Sequence, residues 1–375
     1  MSKRLILCCD GTWEQPDVTS DGQNCPTNVV KLAALLPALA ADGTEQRVFY
    51  HNGIGSTARG VGRGIAGATG LGINRILKSC YLWLVRNYEP GDQIYIFGFS
   101  RGAYTARSLA GFVRNSGILR PENADHLNAA FALYRARDSA SNPRAVASKL
   151  FRQSYCWSDI VPIQCIGVWD TVGSLGIPNS WGHWFLTKIC RLNYEFHDTD
   201  LSSHIVFAFH AVAIDERRKP FLPTLWTQTE HGRAAKQHLE QRWFAGCHGD
   251  IGGGNHDSGL SDITLAWMTL SARKAGLSVN APQTLDAQGF KGFHENPLAD
   301  VSDSLTWFYK LFFPTGVRTI RAPISDGRTN EALHATARER WEDIAQWRPI
   351  ALTNFQCRFP LELPEKIGIE RTGIE

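Results

Sequence analysis

The sequence predicts an α/β fold, with a mostly parallel central sheet, helices on both faces and helical insertions. Short apolar or β-branched runs alternate with helical patterns through the first two-thirds of the chain, the mark of a parallel sheet covered by helices. Each run ends at Gly, Asp, Asn or His, so polar residues collect at the carboxyl edge of the strands, where open α/β sheets place their chemistry. The predicted strands are Arg4–Cys9, Arg47–His51, Gln93–Gly98, Ile163–Trp169, Ile205–Ile214 and Arg242–Gly246.

With 375 residues, 43% of them hydrophobic, the chain is long enough to bury a full core and one extra subdomain. Charged residues make up 20% and the formal net charge is +3, with the basic residues scattered. That balance gives no electrostatic footprint for a nucleic-acid partner. Lys3 and Arg4 precede a short apolar run that Asp10 stops, so it reads as a first strand rather than a signal-peptide core. The most apolar stretch, Val29 to Ala41, is broken by Lys31 and Pro37 and falls short of the roughly 20 apolar residues of a membrane span. Nine cysteines, none in a Cys-x-x-Cys pair and several inside strand-like runs, read as reduced core residues of a cytoplasmic chain. Export by a route that needs no signal peptide stays compatible with this.

Residues 1–275 read as the main domain. Two stretches within it, about 120–158 and 176–203, read as cap insertions. The first has helical spacing at Leu127, Phe131 and Tyr134, and the second gathers Trp181, Trp184, Phe185 and Ile189. Those aromatics either pack a cap on the sheet or form a greasy entrance for an acyl chain. A helix, Ile263 to Ala275, stops at Gly276 in the C-cap position. Residues 276–375 read as an appended covering segment on the same domain, with an aromatic cluster at Trp307–Phe313 and a helix around Glu331–Trp347.

Gly98-Phe99-Ser100-Arg101-Gly102 lies between the strand Gln93–Phe97 and the helical run Ala103–Val113. A sharp strand-to-helix turn strains the serine backbone, exposes its hydroxyl at the sheet edge and needs glycines where a Cβ would collide. This context marks Ser100 as a nucleophile and the fold as α/β-hydrolase-like. A serine hydroxyl needs a base, and the base needs an acid to fix its tautomer. In such folds the chain order is Ser, then Asp or Glu, then His. Asp170 ends the strand Ile163–Trp169 and fits the acid. His248, which opens the glycine-rich run 248–254 after a strand, fits the base, and His334 is its rival. His210 reads as a core residue. Backbone N–H groups for the oxyanion are assigned to Arg101, after the nucleophile, and to Gly11 and Thr12 at the end of the first strand.

Two other patterns compete. Gly60-x-Gly62-x-Gly64-x-x-Gly67 has a dinucleotide-loop look, but no strand leads directly into it and the acidic residue expected about 20 positions later is missing. No cofactor is therefore expected. His248, Asp250, His256 and Asp257 could ligate a hydrolytic metal, yet their spacing is untidy, and Asp250 reads better as a residue that orients the loop.

The chain resembles a family of uncharacterised α/β-hydrolase-like proteins that includes the phospholipase effectors delivered by type VI secretion. The resemblance rests on Cys9-Asp10-Gly11-Thr12-Trp13, Gly53-Ile54-Gly55-Ser56, the Ser100 motif through Ala103, Gly167–Gly173, Ala213–Arg217, Trp243–Gly254 and Leu260-Ser261-Asp262-Ile263. It implies a triad at Ser100, Asp170 and His248, acting on a carboxylic ester, by analogy that of a lipid or phospholipid, with a peripheral membrane contact. A binding protein on a hydrolase fold, with the triad unassembled, is the alternative from another class.

Overall fold

Successive residues of a strand point to opposite faces, so a sheet buried on both sides builds two cores. A computed structural model describes residues 2–11, 19–20, 23–53, 71–136, 141–172, 200–290, 292–304, 315–320 and 328–353. Its central sheet has seven strands: β1 (Arg4–Cys9), β2 (Gln46–His51), β3 (Gln93–Phe99), β4 (Ile163–Trp169), β5 (Ile205–Ala213), β6 (His238–Phe244) and β7 (Glu331–Leu333). The order is β7-β6-β5-β4-β3-β1-β2 and every neighbouring pair is parallel. This is the α/β-hydrolase-like class the sequence predicts.

On one face Leu5, Leu7, Ile94, Ile96, Ile166 and Val168 pack under helices α2 (Leu71–Asn87) and α3 (Arg101–Ser116). On the other, Ile6, Cys8, Tyr95, Phe97 and Cys165 meet α1 (Asn28–Ala34) and, further along the chain, the helix Gly259–Lys274. The alternation within β1 and β3 is thus complete, and α3 is clamped directly behind the strand that leads into Ser100. Among the described residues no helix is long and apolar enough to cross a membrane.

Three elements depart from expectation, the first being the helix read as Ile263–Ala275, which begins at Gly259. β6 begins at His238 rather than Arg242, because its first half buries Leu239 and Gln241 between half-exposed His238 and Glu240. A polar side chain on the inward face hid that alternation. Gln241 is satisfied there by the Trp226 and Thr329 carbonyls, at 2.9 and 2.6 Å. Glu331–Leu333, expected to be helical, is instead the edge strand β7. Three residues show no period, and pairing with β6 decides their state, with Trp243 Nε1 donating to Glu331 at 3.0 Å. The helix starts only after His334, which caps it.

The insertion at 120–158 carries α4 (Leu127–Arg135) and α5 (Val146–Tyr155). It grips α2, where Lys78 Nζ donates to Asn128 at 2.9 Å, and the carboxyl half of α3, where Ser116 Oγ donates to the Ala130 carbonyl and Arg152 Nη1 to that of Asn115, at 2.9 and 2.6 Å. At 1.5 Å rise per residue the two bonds to α3 lie roughly 20 Å from Ser100, so these described contacts flank α3. Most of the insertion at 176–203, the glycines at 60–67 and the aromatic cluster at 307–313 lie outside the described residues. In the described part of 276–375, Leu277, Val279, Leu285 and Ala299 bury in the core with α1 and the helix Gly259–Lys274, and Ile320, Ala337 and Trp347 bury against Val212, Ile214 and Trp243.

Gly102 fixes how closely α3 can approach the sheet. A Cβ there would stand 2.1 Å from the Cys9 carbonyl oxygen and 2.5 Å from that of Asp10, and both obstacles are backbone. Gly102→Ala should lower stability by about 3 kcal/mol, the upper part of the overpacking range, because neither atom can swing away. Urea denaturation checks this, and an unchanged midpoint would refute the close approach.

Candidate active site

The strand-to-helix turn leaves one residue between β3 and α3. Ser100 takes φ 58° and ψ −120°, a region that L side chains rarely adopt. The strain is held from both sides. Ser100 N–H donates to the Trp169 carbonyl of β4 at 3.1 Å, and its own carbonyl accepts from Tyr104 N–H at 3.2 Å. Asp170, the residue after β4, is also at positive φ, 38°, with its N–H on the Ala211 carbonyl of β5 at 2.8 Å. His248 opens a short helix, His248–Gly252, behind β6. All three therefore stand at the same carboxyl edge.

They are joined in series. His248 Nε2 lies 2.8 Å from Ser100 Oγ and His248 Nδ1 lies 2.6 Å from Asp170 Oδ2. With Asp170 ionised, Nδ1 carries the proton and donates to the carboxylate, which leaves Nε2 to accept from the serine hydroxyl. Phe99 lies against one side of the imidazole at a centroid distance of 4.6 Å, and Phe221 meets it edge-on at 5.0 Å. The ring has little freedom to turn. His248 N–H donates to Glu216 at 3.2 Å; Arg218 pairs with Glu216 at 2.8 Å and covers Phe221 at 3.7 Å.

Asp170 is fully buried, and four donors meet its carboxylate. These are His248 Nδ1, the Ala213 N–H at 3.1 Å, and two nitrogens of Arg318, one of them at 2.9 Å. Burial pushes the carboxyl toward the neutral form, but the Arg318 guanidinium and the His248 hydrogen bond outweigh it. Together they hold it well below the usual carboxylate range. Burial likewise raises Glu216, and the Arg218 pair reverses that.

The remaining sequence-predicted residues fall as follows. Arg101 is the first residue of α3, whose amino end carries the outward-pointing N–H groups of a helix start. The Gly11 N–H donates to the Asp10 carboxylate at 2.7 Å, an arrangement the sequence does not foretell, and Thr12 lies outside the described residues. Tyr50 and Thr27 hydroxyls hold the same Asp10 carboxylate at 2.6 and 2.7 Å. His334 accepts from the Thr336 N–H and stacks on Phe244 at 4.4 Å, and burial lowers its pKa to about 4. It is His248, not His334, that meets Ser100. His210 is buried, bonded to Thr171 N–H and Gln241, in the core role expected of it.

Asp250 accepts from Cys247 N–H, Ser302 N–H, Ser302 Oγ and Asn255 Nδ2, which pins the loop that carries His248. Both ring nitrogens of His248 already face partners. Among the described residues no group of three His, Cys, Asp or Glu is placed to hold a metal. A cavity of about 520 Å³ runs beside α3 from Tyr104 to Asn115, and Ser100, Asp170 and His248 do not line it.

Sequence reading missed three contributors. Glu216 sits just past β5, at the carboxyl edge where acids matter, and could have been found by that position. Phe221 and Arg318 carry no local signal. Arg318 is 148 positions from the carboxylate it binds and follows no predicted strand.

Because Asp170 titrates lower in the folded chain than the ordinary value of about 3.9, the stability it contributes is complete above roughly pH 4 and is lost as the pH falls further. Asp170→Asn leaves Arg318 without its charge partner and should destabilise the fold by about 3 kcal/mol. The gap to wild type should stay constant from pH 8 to about 4 and shrink below it. Denaturation midpoints over that range test this, and a gap that closes between pH 7 and 5 would contradict it.

Residues 3–271 match the family described as "T6SS, Phospholipase effector Tle1-like, catalytic domain". The uncharacterised protein YEL023C of Saccharomyces cerevisiae is 30% identical over 255 residues, covering 60% of this chain and 34% of the relative. The chain thus spans about a third of that relative's length. Among solved structures, an uncharacterised protein from Pseudomonas aeruginosa aligns with TM-score 0.45 at 18% identity, over 79% of this chain and 49% of that one. The Tle1 effector bound to the VgrG spike of the type 6 secretion system aligns with TM-score 0.37 at 18% identity, over 68% and 51%. The esterase Est2 of Thermogutta terrifontis aligns with TM-score 0.34 at 13% identity, over 75% and 86%. The match across residues 3–271 settles the affiliation: the chain belongs to the Tle1-like family of type VI secretion phospholipase effector catalytic domains.

Proposed function

We propose that the protein is a serine hydrolase of carboxylic esters, with lipid or phospholipid acyl esters as its substrates. The observation that carries this reading is the unbroken series from Ser100 Oγ through His248 to Asp170, at 2.8 and 2.6 Å. The lipid class rests on the family to which the chain belongs.

In the first half-reaction Ser100 Oγ attacks the acyl carbon while His248 Nε2 takes the hydroxyl proton. Asp170 stays ionised and stabilises the imidazolium through Nδ1. The developing oxyanion is met by the Arg101 N–H at the start of α3. Its second donor is assigned to the backbone N–H groups of Gly11 and Thr12, the first of which donates to the Asp10 carboxylate. The acyl carbon–oxygen bond then breaks, and the leaving alcohol takes the proton back from His248. The acyl group now sits on Ser100. In the second half-reaction His248 takes a proton from water, the hydroxide attacks the acyl carbon, and Ser100 recovers its proton as the carboxylic acid departs.

Ser100→Ala should lower the turnover of a short p-nitrophenyl ester by at least about 10³-fold, since the nucleophile itself is removed. Its melting temperature should stay within a few degrees of wild type. A fluorophosphonate probe should label wild type and not the variant. Full activity in the variant sinks the mechanism, and failure of the probe to label wild type favours a binding protein on this fold.

A further inference from the structure

The family match ends at residue 271, yet one side chain from beyond it reaches the centre of the site. Arg318 is 2% exposed and uses both terminal nitrogens on the Asp170 carboxylate. Nη1 also donates to the Ala213 carbonyl at 2.9 Å, and Nη2 donates to that of Phe221. The same guanidinium therefore fixes the acid and the segment whose ring covers His248.

We propose that Arg318 is a positioning residue of the hydrolytic site and that the segment following residue 275 is part of the catalytic unit rather than a cover over it. The inference rests on the serine-hydrolase reading above. Its physical content has two parts. First, a bidentate guanidinium admits one orientation of a carboxylate, so Asp170 Oδ2 is held where Nδ1 can donate to it. Second, Arg318 shares the charge of Asp170. With Arg318 in place the buried acid remains ionised and can accept from Nδ1.

Among the described residues, few other charged and titratable groups surround the pair. Glu216, paired with Arg218, lies at the His248 N–H, and His210 lies behind Thr171 N–H. Neither contacts the Asp170 carboxylate through a hydrogen bond.

Arg318→Met keeps the length of the stem and removes the charge. Counted per fluorophosphonate-reactive serine, its kcat on a p-nitrophenyl ester should fall about 10- to 100-fold, by analogy with the loss of outer-shell partners that orient metal ligands. KM should stay within about twofold. The acid limb of kcat/KM should move to higher pH by about 1 unit, because burial then pushes the unsupported Asp170 carboxyl up. Arg318→Lys should recover part of the kcat and part of the shift, since a lysine restores charge but not the fork. A merely structural arginine would lower the melting temperature and leave kcat per reactive serine and the acid limb at wild-type values; that result overturns the proposal. Should Arg318→Met fail to fold, the kcat and acid limb of Arg318→Lys decide in the same way. Ser100→Ala run in parallel separates the two readings. If it stays active the serine mechanism falls, whereas if it is inert and the Arg318 variants behave as wild type, only the role of Arg318 falls.

Discussion

A carboxylate with no exposure to water is the constraint around which this molecule is organised. Placing a lone anion in a protein interior costs several kcal/mol even after relaxation, so Asp170 can stay ionised only if the fold delivers cations and donors to it. They arrive from three separate parts of the chain: the end of β5, the loop after β6 and the segment around residue 318. Because all strands of the sheet are parallel, their carboxyl ends open on one edge, and groups far apart in sequence meet there without long detours. The chemistry attributed to Ser100 depends on this neutralisation, since a protonated Asp170 could not hold His248 in the required tautomer.

The same edge shows how strain is supported. Ser100 and Asp170 each follow the last residue of a strand and each have positive φ, a conformation that costs on the order of 1–3 kcal/mol per residue. The hydrogen-bond ladder nonetheless runs one step past both strands: Ser100 N–H to Trp169, Asp170 N–H to Ala211, and next to them Ile214 N–H to Phe244. Each strained residue is tied to the strand beside it. The fold over-determines the backbone where the side chains must point into a shared space.

Much of this was legible in the sequence because it is local. The strands β1 to β5 are apolar runs with clear ends, and the Ser100 turn announces itself through glycines that its geometry requires. Asp170 and His248 follow from the order in which such folds place their partners. What was illegible is non-local or lacks a period. β7 is three residues long and is a strand only because β6 lies beside it. The start of β6 hides behind a buried glutamine whose partners are distant carbonyls. Arg318 stands in a stretch with neither periodicity nor a strand end, and only its burial and contacts in the fold distinguish it from the scattered surface arginines. The 120–158 insertion has readable helices, but nothing in its spacing says which half of α3 it will grip.

The short edge strand has a bearing on how this protein should be divided. The matched region stops before β7, so a boundary drawn there would strip β6 of its outer neighbour and leave inward-facing Trp243 beside open backbone. Unpaired amides and carbonyls along such a rim invite pairing with another molecule's strand. The last hundred residues, by supplying three residues of β-structure, act as a hem that keeps the sheet from unravelling into its neighbours.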